Sequence, residues 1–302
     1  MARTRKAGQA SGELTGRVAV VTGAARGLGE AVALRLAGHG ATVALLGLEP
    51  VELEAVAARC GNGAAWFEVD VTDSAELARV ATEVVGRFGR VDLLVANAGI
   101  AVGGPLLLAD PVSYDRVIEV NLLGSIRTAR AFLPHLVTSK GYLLQIASLA
   151  ALTPAPLMSA YCASKSGVEA FAHCLRGEVA HHGVDVGVAY LSWTDTEMVR
   201  GADRHQTMRT PRASAPPPFN KTYPLGPTAD RLVEGILHRA PHVYGQAWLR
   251  LLQGIRGLLP SVTSKINSKQ MPAVEREVRA AGPEATMPVG AGGAADVRAR
   301  SQ

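Results

Sequence analysis

Tyr161 and Lys165 lie four residues apart in the run Tyr-Cys-Ala-Ser-Lys, which puts both side chains on one face of a helix, about one turn apart. A phenol is a poor proton donor or acceptor near neutrality, because its unperturbed pKa is about 10. A neighbouring ammonium favours the phenolate and draws that value towards neutral pH. Ser148 offers a hydroxyl that holds a carbonyl oxygen while Tyr161 protonates it, and Asn121 lies further upstream. Together they make a proton-transfer device that needs a hydride donor. Pairs at this spacing are commonplace on helices, so the reading depends on the elements around them. Cys162 is read as a small buried filler rather than a reactive thiol.

Those elements begin at residues 17–22, a short β-branched run of buried-strand type. The run breaks into Gly23-Ala24-Ala25-Arg26-Gly27-Leu28-Gly29, followed by a helical pattern that stops at 38–40. Strand, glycine turn and helix make a phosphate cradle: bare backbone approaches a pyrophosphate at the helix N-terminus. The spacing here is Gly-x3-Gly-x-Gly rather than the commoner Gly-x-Gly-x-x-Gly. Further strands are expected at 41–46, 65–69, 91–96, 142–147 and 184–190, with helices between them at 51–59, from a Thr72 or Asp73 cap to Phe88, at 110–130 and at 158–181. Unbroken apolar strands alternating with helices argue for a parallel sheet covered on both faces. Ser148 and residues 191–198 then fall at the carboxyl edge, where such sheets bind ligands.

Beyond strand six, residues 199–224 turn polar and proline-rich and are read as a lid. A helix over 228–239 and an edge strand at 242–244 follow. Residues 248–259 form an apolar helix carrying Arg250 and Arg256, read as packing on the body or a sister subunit in preference to a membrane surface. The domain organisation expected is a disordered basic lead (1–13), a catalytic domain (14–245), a helical extension (246–281) and a disordered small-residue tail (282–302).

The net charge of +5 sits partly in the two ends, and no ordered basic face with aromatic platforms marks nucleic-acid binding. Three unpatterned cysteines fit a reducing cytoplasm, and neither a secretory leader nor a run of about 18 apolar residues is evident. His238 and His242 have no carboxylate or cysteine cluster with them, so no metal site is expected. Ser148 sits in Ile-Ala-Ser-Leu-Ala, not in a hydrolase elbow.

Thr22-Gly23 with Gly27 and Gly29, Asp70 after strand three, Asn97-Ala98-Gly99, and Asn121, Ser148, Tyr161 and Lys165, in this order and spacing, resemble the short-chain dehydrogenases/reductases over about residues 14–245. The resemblance implies a Rossmann-type doubly wound α/β sheet with a C-terminal helical extension, NAD(P)(H) as cofactor, and a homodimer or homotetramer paired through the helices carrying Asn121 and Tyr161. It implies Tyr161 as general acid/base, Lys165 on the nicotinamide ribose and lowering the tyrosine pKa, Ser148 polarising the substrate oxygen, and Asn121 holding a relay water. The turn of Gly23, Arg26, Gly27, Leu28 and Gly29 would take the pyrophosphate, Asp70 and Val71 the adenine, and Asn97 to Gly99 the adenosine-ribose side. Thr196, with Thr194, would meet the carboxamide or phosphate end.

Two departures bear on those roles. Leu191-Ser192 stands where the family often has Pro-Gly, which puts the Thr194 and Thr196 contacts in doubt. At the end of strand two, Gly47 and Leu48 replace the family's cofactor-selecting residues. Arg26 would meet a 2′-phosphate and Glu49 a free 2′-hydroxyl; the expectation leans to NADP(H). The expected substrate is an apolar carbonyl or alcohol, suggested by Met198, Met208 and Phe219 in the lid; the alternatives are an acyl-carrier-linked 3-oxo group or a non-catalytic dinucleotide sensor.

Overall fold

The computed structural model describes residues 12–204, 208–209, 212–213, 215–268 and 271–301. Most of the basic lead and parts of the 199–224 segment therefore lie outside the described residues. Seven strands form one parallel sheet in the order β3-β2-β1-β4-β5-β6-β7: β1 Val18–Thr22, β2 Thr42–Gly47, β3 Ala65–Glu68, β4 Leu93–Ala96, β5 Tyr142–Ile146, β6 Asp185–Tyr190 and β7 His242–Tyr244. Strand order reverses between β1 and β4, where Val20 pairs Leu94 on one side and Ala44 on the other.

Strand side chains alternate, so each strand feeds two helical layers. Ala19, Val21, Val43 and Leu45 pack with α1 (Gly27–Gly38), α2 (Pro50–Cys60) and α9 (Leu225–Leu237). Val20, Ala44 and Leu46 pack on the other face with α3 (Ser74–Phe88), α5 (Ser125–Ser139) and α7 (Ser159–Val179). The cap expected before α3 is Asp73, whose carboxylate accepts from the Ala75 and Glu76 amides at 2.7 and 2.9 Å.

The helix expected over 110–130 is interrupted. It comprises α4 (Pro111–Ile118), a π-helical turn (Glu119–Gly124) that carries Asn121, and the start of α5. The extension holds α10 (Trp248–Ile255), α11 (Leu259–Ser268) and α12 (Met271–Ala281). Leu249 and Leu252 of α10 are buried in the core, whereas Leu251, Ile255 and Leu258 on the same stretch are exposed. No helix of the described residues is long and apolar enough to cross a membrane.

The tail departs from expectation. Instead of being disordered, it ends in α13 (Gly290–Arg300), packed on α8 (Glu197–Arg204). Small residues do not build a core by themselves, but they let two backbones approach closely. A Cβ on Gly201 would stand 2.5 Å from the Gly290 nitrogen. Buried Asp296 then pins the far end through Arg116, Nε to Oδ1 at 2.9 Å.

Candidate active site

The site lies at the carboxyl edge of the sheet, outside the point where strand order reverses, the position that favours ligands in open α/β sheets. Gly23 and Gly29 make the turn from β1 into α1. Gly23 has φ +62°, and a Cβ on Gly29 would fall 2.1 Å from the Gly23 carbonyl oxygen. Glycine alone fits at both positions, and Gly23, with Gly27, leaves bare backbone on the pocket wall. Thr22 closes the junction, its Oγ1 accepting from the Asn97 and Ala98 amides, both at 3.0 Å. The Asn97 side-chain amide donates back to the Thr22 and Gly23 carbonyls at 2.9 and 3.2 Å, tying β4 to β1.

One pocket is walled by Gly23, Arg26, Gly27, Leu28, Glu49, Asn97, Ala98, Gly99, Ser148, Tyr161, Lys165, Thr194 and Thr196. Ser148 leaves β5 in extended backbone and caps the short helix α6 (Leu149–Leu152), its Oγ accepting from the Ala150 amide at 3.1 Å. Tyr161 sits in the first turn of α7. Lys165, one turn on, is buried; its Nζ lies 5.7 Å from the Tyr161 ring centre and donates to the Ile146 carbonyl at 2.9 Å. Burial pushes the Tyr161 phenol up to about 12, opposed by its hydrogen bond with Ser148, and pushes the Lys165 ammonium down to about 8. The expected lowering of the tyrosine by its lysine is therefore not what this geometry produces. Desolvation dominates both groups. Burial likewise pushes the Cys162 thiol up, in keeping with a filler.

Asn121, Gly29, Asp70 and Val71 are not among the residues walling the pocket. Asn121 is buried in the π-helical turn, accepting from the Ile100 amide at 2.8 Å and donating to the Ile100 carbonyl at 3.0 Å and to Ser164 Oγ at 3.1 Å. It thus holds the chain just past Asn97-Ala98-Gly99 against α7. The Asp70 carboxylate accepts from the Thr72 amide and hydroxyl, both at 2.8 Å, and from Arg116 at 2.5 Å. Burial pushes this carboxyl up, but those hydrogen bonds outweigh it and hold it below the usual range. Val71 packs among Ile100, Val102, Val117 and Val120.

Arg26 and Glu49, read from the sequence as alternatives, pair with each other. Arg26 bonds both Glu49 oxygens, donates to Glu197 at 2.8 Å and lies 3.4 Å from Glu52. Thr194 is buried, donates to the Ser192 carbonyl at 3.0 Å and bridges to Tyr223. Ser192, in place of the family's glycine, gives its amide to Gln246 at 2.8 Å, and Leu191, Ser192, Thr194 and Thr196 all remain on the pocket wall. Met198 walls the pocket and Met208 packs close behind it, whereas Phe219 stacks edge-on against Trp248, 5.3 Å away, in the opposite core.

Glu197 lies in the stretch already assigned to the ligand edge, but sequence reasoning gave it no role; it missed Val199, just beyond that stretch, and Val289, Gly292 and Gly293 of the tail, all on the same wall. The last three carry no periodic or charged signal.

The family model described as short chain dehydrogenase matches residues 17–207. An uncharacterized NAD-dependent oxidoreductase of Mycobacterium tuberculosis is 35% identical over 215 residues, 65% of this chain and 78% of that one. A metagenomic short-chain oxidoreductase solved in complex with NADP is 38% identical, with TM-score 0.57 over 59% of this chain and 83% of that one. A short chain dehydrogenase/reductase from Burkholderia phymatum, solved in complex with NAD, shares the fold at 24% identity, with TM-score 0.69 over 80% and 93% of the two chains. With a Rossmann-type parallel sheet and a family match across most of it, this chain belongs to the short-chain dehydrogenase/reductase family of oxidoreductases.

Proposed function

We propose that the protein transfers a hydride between a nicotinamide dinucleotide and the carbonyl or secondary alcohol of an apolar small molecule, with Tyr161 as general acid and base. The observation that carries this reading is the convergence of Ser148, Tyr161 and Lys165 on the pocket that the glycine turn opens into. The bare backbone at Gly23 and Gly27, at the turn that Gly29 keeps tight, fits a pyrophosphate. The dinucleotide, when bound, supplies or accepts the hydride.

In the reductive direction Ser148 donates to the carbonyl oxygen and Tyr161 gives it a proton. A phenol raised to about 12 keeps its proton at neutral pH, which suits the acid role. In the oxidative direction the same phenol has to be ionised first. Lys165, titrating near 8, would hold the ribose hydroxyls of the dinucleotide and bring positive charge to the phenolate's side of the pocket. Asn121 is a positioning residue whose side chain fixes the loop after β4 against α7. Asn97, Ala98 and Gly99 serve the adenosine-ribose side, Asp70 and Val71 the adenine, and Thr194 and Thr196 the nicotinamide end.

For cofactor choice the reading turns away from NADP(H). Arg26 is taken up by Glu49, Glu197 and Glu52, three carboxylates against one guanidinium. That excess of negative charge disfavours a 2′-phosphate and leaves Glu49 to accept from a free 2′-hydroxyl. An apolar substrate is favoured by Met198 and Val289 on the pocket wall, in a cluster with Ala101, Ala202 and Met208 that Tyr161 and Trp193 border.

Val168, Ala172 and Leu175 are buried in the chain's own core, so pairing with a second copy would use the groove of Ile126, Leu133, Val137 and Phe171 between α5 and α7. Three free cysteines fit a cytoplasmic site of action. The test is NADH oxidation with a panel of aliphatic, cyclic and aromatic ketones, and NAD reduction with the matching alcohols. Turnover with apolar members supports the reading; binding of nucleotide with no turnover of any member favours a dinucleotide sensor.

A further inference from the structure

We infer that the chain's own C-terminal segment completes the substrate side of this pocket, and that Gly292 sets how large an acceptor it admits. This rests on the proposed function for what the pocket holds. Val289, Gly292 and Gly293 stand on the same wall system as Ser148, Tyr161 and Lys165. Val289 is 2% exposed and packs in the apolar cluster that Tyr161 and Met198 border. Its amide donates to the Ala101 carbonyl at 2.9 Å, in the loop that follows β4.

The segment is clamped at several points. Gly290, at φ +77°, lies so close to α8 that a Cβ on it would come within 2.8 Å of the Glu197 carbonyl oxygen. Before it, the Asp110 amide donates to Thr286 Oγ1 at 3.2 Å. Beyond it, buried Asp296 pairs with Arg116, which also holds Asp70. These contacts draw on the ends of β3 and β4, α4 and α8, the elements that frame the site. A Cβ on Gly293 would meet Pro288 at 2.8 Å, so that position is filled by packing. Gly292 differs: it walls the pocket, yet a Cβ there would meet nothing within 4 Å. A side chain at 292 therefore meets open space beside the pocket wall rather than packed neighbours.

The experiment is acrylamide quenching of bound NADH fluorescence in the full chain, in a chain ending at Ala281, and in full-length Gly292→Phe. Pockets of this kind bury most of their ligand, so removal of one wall should raise the quenching constant about twofold or more. Gly292→Phe should quench less than the unaltered protein and lose turnover of bulky ketones before small ones. If both variants quench as the unaltered protein does, the inference is overturned. Should the shortened chain fail to fold, Gly292→Phe decides alone. Failure of the unaltered chain to bind NADH would count against the proposed function instead. Hydrogen exchange of the nucleotide-free chain then tests the inference separately: the Val289 amide is expected to exchange as slowly as the core, and fast exchange there overturns it.

Discussion

Lys165 is 4% exposed, and burial brings its titration down to about 8. Below that pH the folded protein carries a buried cation whose cost is absent from the unfolded chain. The displacement from the ordinary lysine range is roughly two and a half pH units, which at about 1.4 kcal/mol each amounts to roughly 3 kcal/mol. Lys165→Met removes that cost and also removes the hydrogen bond to the Ile146 carbonyl, worth about 1 kcal/mol or somewhat more. The variant should therefore be more stable at pH 7, by about 1–2 kcal/mol. The advantage fades as pH rises. As pH climbs past 8 the folded lysine loses its proton while the unfolded one keeps it, so the unfolded state binds more protons and the unaltered protein gains stability. By pH 9.5 about 2 kcal/mol of the cost is relieved, and the two proteins should be close to equal. The assay is urea unfolding followed by tryptophan fluorescence, at one protein concentration, at pH 7 and pH 9.5. A stability difference that does not change between the two pH values would refute the reasoning. So would a variant less stable than the parent at pH 7.

Glu49→Ala frees Arg26 to meet a phosphate, and NADPH affinity in a fluorescence titration should rise about tenfold or more while NADH affinity falls. Unchanged NADPH binding would show that Glu49 does not guard the ribose. Gly29→Ala puts a methyl 2.1 Å from the Gly23 carbonyl oxygen, so the turn must open. Nucleotide binding should fall at least about tenfold in the same titration, with about 1–3 kcal/mol of stability lost. Because Tyr161 must ionise to act as a base and burial raises it to about 12, kcat/KM for alcohol oxidation should climb with pH between 7 and 10 while ketone reduction does not. An oxidation optimum below pH 7 would contradict that assignment.

The sheet was legible because its strands are near-continuous apolar runs bounded by glycine, aspartate or polar breaks, and each expected strand lies within two residues of an observed one. That Ser148, Tyr161 and Lys165 face one pocket was legible because their residue types and spacing are unusual in combination. What escaped was decided by tertiary packing. The π-helical turn at Asn121 leaves no mark in a pattern of period 3.6, since α4 and α5 are each ordinary amphipathic helices on either side of it. The tail looked formless because glycine and alanine advertise no buried face, although it is this smallness that lets Gly290 lie against α8. Arg26 and Glu49 are 23 residues apart, and nothing local says that one cancels the other. Asp70 was correctly placed at the end of β3, but its partner Arg116 comes from a helix that only the fold brings near.

The most direct test of the account is Tyr161→Phe, assayed in one preparation for NADH binding and for ketone-dependent NADH oxidation. The substitution removes the hydroxyl alone and keeps the ring beside Lys165. NADH affinity is expected to stay within about threefold of the parent and turnover to fall at least about 100-fold, the scale of a lost general acid. Turnover that survives the substitution would contradict the central claim, because the proton would then come from another group.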